Sequence, residues 1–251
     1  MMLGIDLGSR HIKIVQMFNG KIGKSTIFDT IEFYRQHGMA GQKKLDIDFE
    51  SLGFVPDQLT STGYGKIAIA IEGAVQIPEI QAHAAGAAYQ TGLKDFTLLD
   101  IGGQDTKIIM VRNGQVADFM TNDRCAASSG RYMENMASIL GISLQELGLC
   151  SDEPVSLNST CAIFGETEII SKIVEGYSTA QLAAGVNYTL YRRFAGQLKQ
   201  LRSETLVLSG GGAFNTALMN IIAEQTGSQV LRADNYQFNG AIGCCVFEEF
   251  N

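Results

Sequence analysis

Thr97-Leu98-Leu99-Asp100-Ile101-Gly102-Gly103 is an apolar run that ends in an aspartate and a glycine turn, and the chain has already opened the same way with Leu3-Gly4-Ile5-Asp6-Leu7-Gly8. In each copy a glycine follows the aspartate by two positions and a lysine by seven: Gly8 and Lys13 after Asp6, Gly102 and Lys107 after Asp100. An alternating segment follows each loop and ends on an Asn-Gly pair, Asn19-Gly20 or Asn113-Gly114, a strong hairpin signal. Two such strand–Asp-x-Gly–strand units predict a duplicated α/β architecture with a cleft between its halves.

Outward from the repeats, residues 3–34 read as three strands, 3–7, 12–18 and 22–34. Gly23-Lys24-Ser25 has the tail of a P-loop, but the motif's first glycine would fall at Phe18 and a strand follows, which excludes it. A short helix is expected around 43–52, a strand ending in a glycine turn over 59–66, and an alanine-rich helix over 79–89 after Pro78. Residues 181–201 carry a longer helical pattern. A buried strand at 205–208 runs into Ser209-Gly210-Gly211-Gly212-Ala213, with a helix from Phe214, and residues 240–243 open the last helix. Strands alternating with helices define the α/β class.

Two further stretches lead with a cysteine. Asn122-Asp123-Arg124-Cys125-Ala126-Ala127-Ser128-Ser129-Gly130 precedes a helical stripe of Tyr132, Met133, Met136 and Leu140, with Ser128 and Ser129 placed to cap. Ser159-Thr160-Cys161-Ala162-Ile163-Phe164-Gly165-Glu166 opens a helix with Phe164, Ile169, Ile170 and Ile173 mainly on one face. A thiol at a helix N-terminus ionises more readily, and a thiolate suits a soft metal or an iron–sulfur cluster. The alternative use of a free cysteine is as a small buried hydrophobe. That is the role expected of Cys150, Cys244 and Cys245, which lie in apolar surroundings.

The bulk composition narrows the classes. A chain of 251 residues, 45% hydrophobic and 18% charged, can build one large or two smaller domains. A net charge of −7 without a lysine or arginine run argues against nucleic acid or an anionic membrane as a partner. Five cysteines, an odd number, do not suggest a secreted disulfide framework. The opening Met1-Met2-Leu3-Gly4-Ile5-Asp6 lacks the form of a signal peptide, and no apolar run approaches the ~20 residues of a membrane span, so a cytoplasmic protein is expected.

Glycine after a strand lets the backbone approach a phosphate with its N–H groups pointing inward. Aspartates suit Mg²⁺, which prefers oxygen ligands and keeps several waters. Two Asp-x-Gly hairpins could therefore clamp the phosphates of a nucleotide and its metal, and the glycines at 210–212 could lie flat against an adenosine.

The order of these loops resembles the superfamily of sugar kinases, heat-shock chaperone ATPases and actin. Residues 4–13 look like its first phosphate loop, 99–107 like the second, 208–213 like the adenosine motif, and 79–87 and 240–243 like the two connecting helices. Within it, the chain is most similar to the activators of 2-hydroxyacyl-CoA dehydratases and the related benzoyl-CoA reductase ATPase subunits. The matching motifs are Thr62-Gly63-Tyr64-Gly65, Asp100-Ile101-Gly102-Gly103-Gln104-Asp105 and the two cysteine stretches. The likeness spans nearly the whole chain. It departs at Arg124, where the family usually has lysine, at Ser128-Ser129-Gly130 for Gly-Thr-Gly, and at Gly165 within Phe-Ala-Glu-Ser-Glu. At 210–212 it carries three glycines where the family has Gly-Gly-Val-Ala.

The resemblance implies a duplicated actin-like, ribonuclease H-like ATPase fold. Residues 1–92, with the helix at 240–251 packing back, would form the first half, and residues 93–239 the second. It further implies an ATP-dependent one-electron donor working under anaerobic conditions: a homodimer sharing one 4Fe–4S cluster on its two-fold axis. The cluster would be held by Cys125 and Cys161 of each chain and reduced by a ferredoxin or flavodoxin. Its acceptor would be a dehydratase-like iron–sulfur protein. Two thiols per chain agree with a cube that needs four, and helix N-termini would offset its charge by roughly 0.3–1 kcal/mol each. In this reading Asp6 and Asp100 hold the waters of Mg²⁺ and Lys13 neutralises phosphate charge. Gly8, Ser9, Gly102, Gly103 and Gln104 line the phosphates of ATP or ADP, Gly210, Gly211 and Gly212 the adenosine, and Glu79 orients the attacking water. Glu79 could equally be a helix N-terminal charge, and His83 is expected to pack in its helix. The alternatives are a small-molecule kinase of the same fold with structural cysteines, and a dimer joined by structural zinc.

Overall fold

Both Asp-x-Gly segments become the central strands of sheets that share one strand order. The structure, a computed structural model, describes residues 1–39, 42–63, 69–122, 129–158 and 162–250. The chain begins with β1 (Met2–Leu7), β2 (His11–Phe18), β3 (Lys21–Asp29), α1 (Thr30–His37), β4 (Lys44–Leu45), β5 (Gln58–Gly63), β6 (Ala70–Ile71), β7 (Val75–Gln76) and α2 (Glu79–Thr91). It continues with β8 (Phe96–Ile101), β9 (Thr106–Arg112), β10 (Gln115–Asn122), α3 (Gly130–Leu140), α4 (Leu144–Leu147), α5 (Ala162–Val174) and α6 (Thr179–Gln200). The last elements are β11 (Thr205–Ser209), α7 (Thr216–Thr226), β12 (Gln229–Arg232) and α8 (Asn239–Phe250).

The first sheet has the order β3-β2-β1-β5-β7 and the second β10-β9-β8-β11-β12, so each strand has its counterpart in the other sheet. In the first, β1 runs antiparallel to β2, which sets Asp6 opposite Lys13, and parallel to β5. In the second, β11 runs parallel to both β8 and β12. The hairpins turn through Asn19 (φ 47°) and Gly20 (φ 71°), and through Asn113 (φ 52°) and Gly114 (φ 77°). Positive φ at both central residues matches the twist of the flanking strands, which is why Asn-Gly serves there.

Two compact units result: Met1–Asp95 with Val111–Ala117 and Ala233–Asn251, and Phe96–Met110 with Asp118–Arg232. In the first, Leu3, Ile5, Ile12 and Ile14 pack with Phe33, Leu45 and Phe54. Val15 and Met17 pack with Ala85, Ala241, Ile242 and Val246 of α2 and α8. A side chain at Gly243 would collide with the carbonyl of Ala82, and one at Gly4 with that of Ala241, so α8 lies backbone to backbone on both α2 and β1. In the second unit β8 is buried along its whole length, as a strand covered on both faces must be. The amide of Asn187 on α6 donates to Leu147 O and Cys150 O and accepts from Asn215, each at 2.8 Å, which ties α4, α6 and α7 together.

Several expectations need correction. The strand predicted over 22–34 ends at Asp29, whose carboxylate accepts from the N–H groups of Ile31 and Glu32 and so starts α1. No helix forms over 43–52. Leu45 and Ile47 are both buried, an alternation of two; Lys44 and Leu45 pair with Ala70 and Ile71, and Asp48 turns the chain at Ser51. The helix expected from Phe214 starts at Thr216, capped by Asn215, after a 3-10 turn over Gly211–Phe214. Ser129 stands at the start of α3 but does not cap it through its side chain, because its hydroxyl donates to Gly103 O at 3.0 Å. On α5, Ile169 is buried whereas Ile170 and Ile173 are more than half exposed, so the apolar face is only partly covered within the chain. Cys244 and Cys245 do fill core, but Cys150 is only half-buried.

Candidate functional site

In the first unit Asp6 ends the apolar run of β1 and is buried, while Gly8 and Ser9 are half-buried in the turn beyond it. The pairing of β1 with β2 brings Lys13 Nζ to 3.1 Å from Asp6 Oδ2. The same ammonium hangs over the turn: a Cβ on Gly8 would lie 2.7 Å from it. Thr30, which the sequence reading passed over, secures the turn by donating its hydroxyl to Gly8 O at 2.8 Å. Glu79, half-buried, is the first residue of α2. One turn further on, buried His83 faces the start of α8, where a Cβ on Gly240 would lie 2.9 Å from His83 Nε2 and 3.0 Å from Asp6 Oδ2. His83 therefore packs at the carboxylate end of β1.

In the second unit Asp100 takes the matching place on β8, and Gly102, Gly103 and Gln104 form a half-buried turn. Gly102 N–H donates to Asp105 O, and Gly102 O and Gly103 O receive the N–H groups of Gly130 and Arg131 at 2.8 and 3.1 Å. The turn is thereby fastened to the first residues of α3. Ser209, at the end of β11, donates to Asp100 Oδ1 at 2.7 Å. Gly210 has φ +80°, and a side chain there would lie 2.5 Å from Ile101 O, so only glycine carries β11 past this loop. Gly211 is exposed beside it, and Gly212 packs against Ile101 and Met133.

Lys107 has a larger part here than its spacing alone suggested. Its ammonium lies 2.7 Å from Asp105 Oδ2 and 3.6 Å from Asp100 Oδ2, with the three side chains only 4%, 9% and 2% exposed. The signal for this trio was present in the two-residue spacing of Asp105, just ahead of β9, and Lys107 within it. An ammonium between two carboxylates is a stand-in cation, and hard oxygen donors beside half-buried glycine turns fit Mg²⁺ with its waters. Among the described residues no three of His, Cys, Asp and Glu gather as a direct coordination set.

Cys125 and Cys161 lie outside the described residues, as do Tyr64-Gly65, Arg124 and Ser128. The helices that follow them in sequence, α3 and α5, pack together at Gly165, where a Cβ would lie 3.2 Å from Met136 Cε. The other three cysteines make poor thiolate ligands. Burial pushes Cys245 up to about 12 and Cys244 well above its ordinary value, and burial with Asp152 and Glu146 nearby raises Cys150.

Known proteins agree with this geometry. The (R)-2-hydroxyglutaryl-CoA dehydratase activating ATPase of Acidaminococcus fermentans is 31% identical over 98% of this chain and 95% of its own length. The solved activator of the 2-hydroxyisocaproyl-CoA dehydratase from Clostridium difficile, with bound ADPNP, superposes with a TM-score of 0.84 at 28% identity, covering 99% of this chain and 95% of that one. A ROK family glucokinase from Streptomyces griseus, at 13% identity and a TM-score of 0.59 over 98% of both chains, shares the fold alone, which places the architecture with the sugar kinases and actin-like ATPases as expected. The model of the BadF/BadG/BcrA/BcrD ATPase family matches residues 3–247, and the chain belongs to that family.

Proposed function

We propose that this chain is an ATP-dependent one-electron donor that activates a 2-hydroxyacyl-CoA dehydratase or a related iron–sulfur protein. The observation that carries the reading is the placement of Cys125 and Cys161 ahead of two helices that pack on each other, in a chain of an ATPase family. Asp6 and Asp100 hold Mg²⁺ through its waters, Lys13 meets phosphate charge, and the N–H groups around Gly8, Ser9, Gly102, Gly103 and Gln104 receive the phosphates of ATP or ADP. Gly210, Gly211 and Gly212 flank the adenosine, and Glu79 orients the attacking water through a hydrogen bond. Cys125 and Cys161 of each of two chains hold one 4Fe–4S cluster, which supplies the one-electron couple when bound.

The exposed side of α5 supports a two-chain assembly. Ile170, Ile173 and Val174 are 54%, 52% and 84% exposed on the helix that Cys161 precedes, and a second copy related by a two-fold axis would cover them. The expected electron source is a ferredoxin or flavodoxin. Iron and acid-labile sulfide analysis after anaerobic purification tests the reading: about four iron atoms per dimer are expected. Stoichiometric zinc without sulfide, or a sugar kinase activity in iron-free protein, would overturn it.

A further inference from the structure

Asp100, Asp105 and Lys107 bring two negative charges and one positive charge together in the buried interior of the second unit. Burying the ammonium is tolerable only while carboxylates surround it, and burying the carboxylates only while a cation does. The trio is asymmetric. Lys107 Nζ is at full contact with Asp105, at 2.7 Å, and stands off Asp100 at 3.6 Å. Asp105 is itself fixed: its carbonyl receives Gly102 N–H at 2.9 Å, and its Oδ1 is 2.5 Å from where a Cβ on Gly102 would stand. Asp100 is oriented from the other side by Ser209, which takes Oδ1 and turns Oδ2 toward the ammonium. In the first unit Lys13 instead lies 3.1 Å from Asp6, and the residue five places after that aspartate is His11, not a carboxylate.

We propose that Asp105 is a positioning residue that draws the Lys107 ammonium off Asp100, so that Asp100 can hold the hydrated divalent cation of the nucleotide, and that Lys107 is a built-in competitor for that place. Two cations can serve the one carboxylate: a tethered ammonium and a hydrated Mg²⁺. With the tether on Asp105 in place, the ammonium offsets one of the two buried negative charges without closing on Oδ2. Without it, the ammonium moves to Asp100, the other carboxylate of the trio, and Mg²⁺ has to displace it. This inference rests on the reading of Asp100 as a holder of the Mg²⁺ waters.

The test is equilibrium binding of ATP to anaerobically purified dimer as free Mg²⁺ is varied, for wild type, Asp105→Asn and the charge-balanced Asp105→Asn/Lys107→Met. Asp105→Asn should raise the half-saturating Mg²⁺ about tenfold, equivalent to 1.4 kcal/mol, with ATP affinity at saturating Mg²⁺ little changed. A merely structural role would lower stability and ATP affinity without moving the Mg²⁺ midpoint. The double variant should return to the wild-type midpoint or fall below it. A midpoint within twofold of wild type in folded Asp105→Asn would overturn the proposal. If that variant fails to fold, the double variant decides: a midpoint at or below wild type supports the competitor role, and a higher one overturns it. Wild type that binds no ATP at any Mg²⁺ concentration would sink the nucleotide reading itself, whereas ATP binding with unchanged midpoints sinks only this inference.

Discussion

The two Asp-x-Gly repeats share strand order, turn and lysine spacing, yet the lysines do different things. Lys13 keeps 18% of its side chain exposed and reaches over the Gly8 turn, whereas Lys107, 4% exposed, is withdrawn onto Asp105. One side chain five places after the aspartate, His11 in the first repeat and Asp105 in the second, separates a lysine that faces the loop from one that serves the interior. The surroundings diverge too. Two places before the aspartate the first repeat has Gly4, which admits the backbone of α8, while the second has Leu98, fully buried within its sheet. Duplication fixes the frame, and single residues then divide the work.

The sharpest way to break this comparison is to separate what the repeats support. Cys161→Ser would remove iron altogether yet leave binding of Mg·ATP, because the cysteine lies outside both phosphate turns. Asp6→Ala would keep the iron and lower hydrolysis by about 10²–10³-fold, the usual scale for losing one preorganised electrostatic contact. Iron content and ATP turnover measured on both variants check this. Iron retained by Cys161→Ser would remove that residue from the ligand set.

The lysines come next. Lys107→Met leaves two buried carboxylates without their cation, and the protein should lose about 3–5 kcal/mol in urea melts. Lys13→Met, at a pair that solvent reaches, should lose about 1–2 kcal/mol while weakening ATP binding. Equal destabilisation by the two would mean that the difference in burial has no energetic weight.

What could be read from the sequence and what could not follows the range of the interactions. The repeats were legible because alternation, Asn-Gly turns and the Asp-to-Lys spacing are local, and β1, β2, β8 and β9 form around them. α1 was misread as strand because its start depends on the Asp29 side chain and not on an apolar period. Asp105 was quoted in a motif but given no role: its pairing with Lys107 is close in sequence, but only burial makes it matter. Gly240 facing Asp6 depends on α8 returning to β1 from the far end of the chain, which no local pattern encodes. Helical spacing puts Ile169, Ile170 and Ile173 mainly on one face, but it does not tell buried Ile169 from Ile170 and Ile173, which are more than half exposed.

Returning to the contrast between Gly4 and Leu98, Gly4→Ala should cost about 1–3 kcal/mol by forcing β1 off α8, and Gly243→Ala a similar amount by forcing α8 off α2. Thermal melts check both. Unchanged stability would mean that α8 can shift away without loss.

The smallest effect concerns the thiols behind β1. Cys245 donates toward Val15 O and Cys244 toward Ile5 O, both at 3.5 Å, and burial holds each as a thiol, Cys245 up to about 12 against an ordinary 9.0. The sign follows from which state gives up its proton first. Below pH 9 both the folded and the unfolded chain keep the Cys245 proton, and its contribution to stability does not change with pH. Above pH 9 the unfolded chain ionises while the folded chain cannot until about pH 12, so stability falls across that window. At pH 10 the loss from this one thiol is about 1.4 kcal/mol. Anaerobic urea melts at pH 8 and pH 10 should therefore show a drop for wild type that Cys245→Ala reduces by that amount. Half-buried Cys150, in the unit that carries the second repeat, should alter the drop far less when replaced by alanine. If Cys245→Ala and Cys150→Ala gave the same drop as wild type, the seat of α8 on β1 would be open enough for solvent to reach the thiol, and the contrast drawn from Gly4 would fail with it.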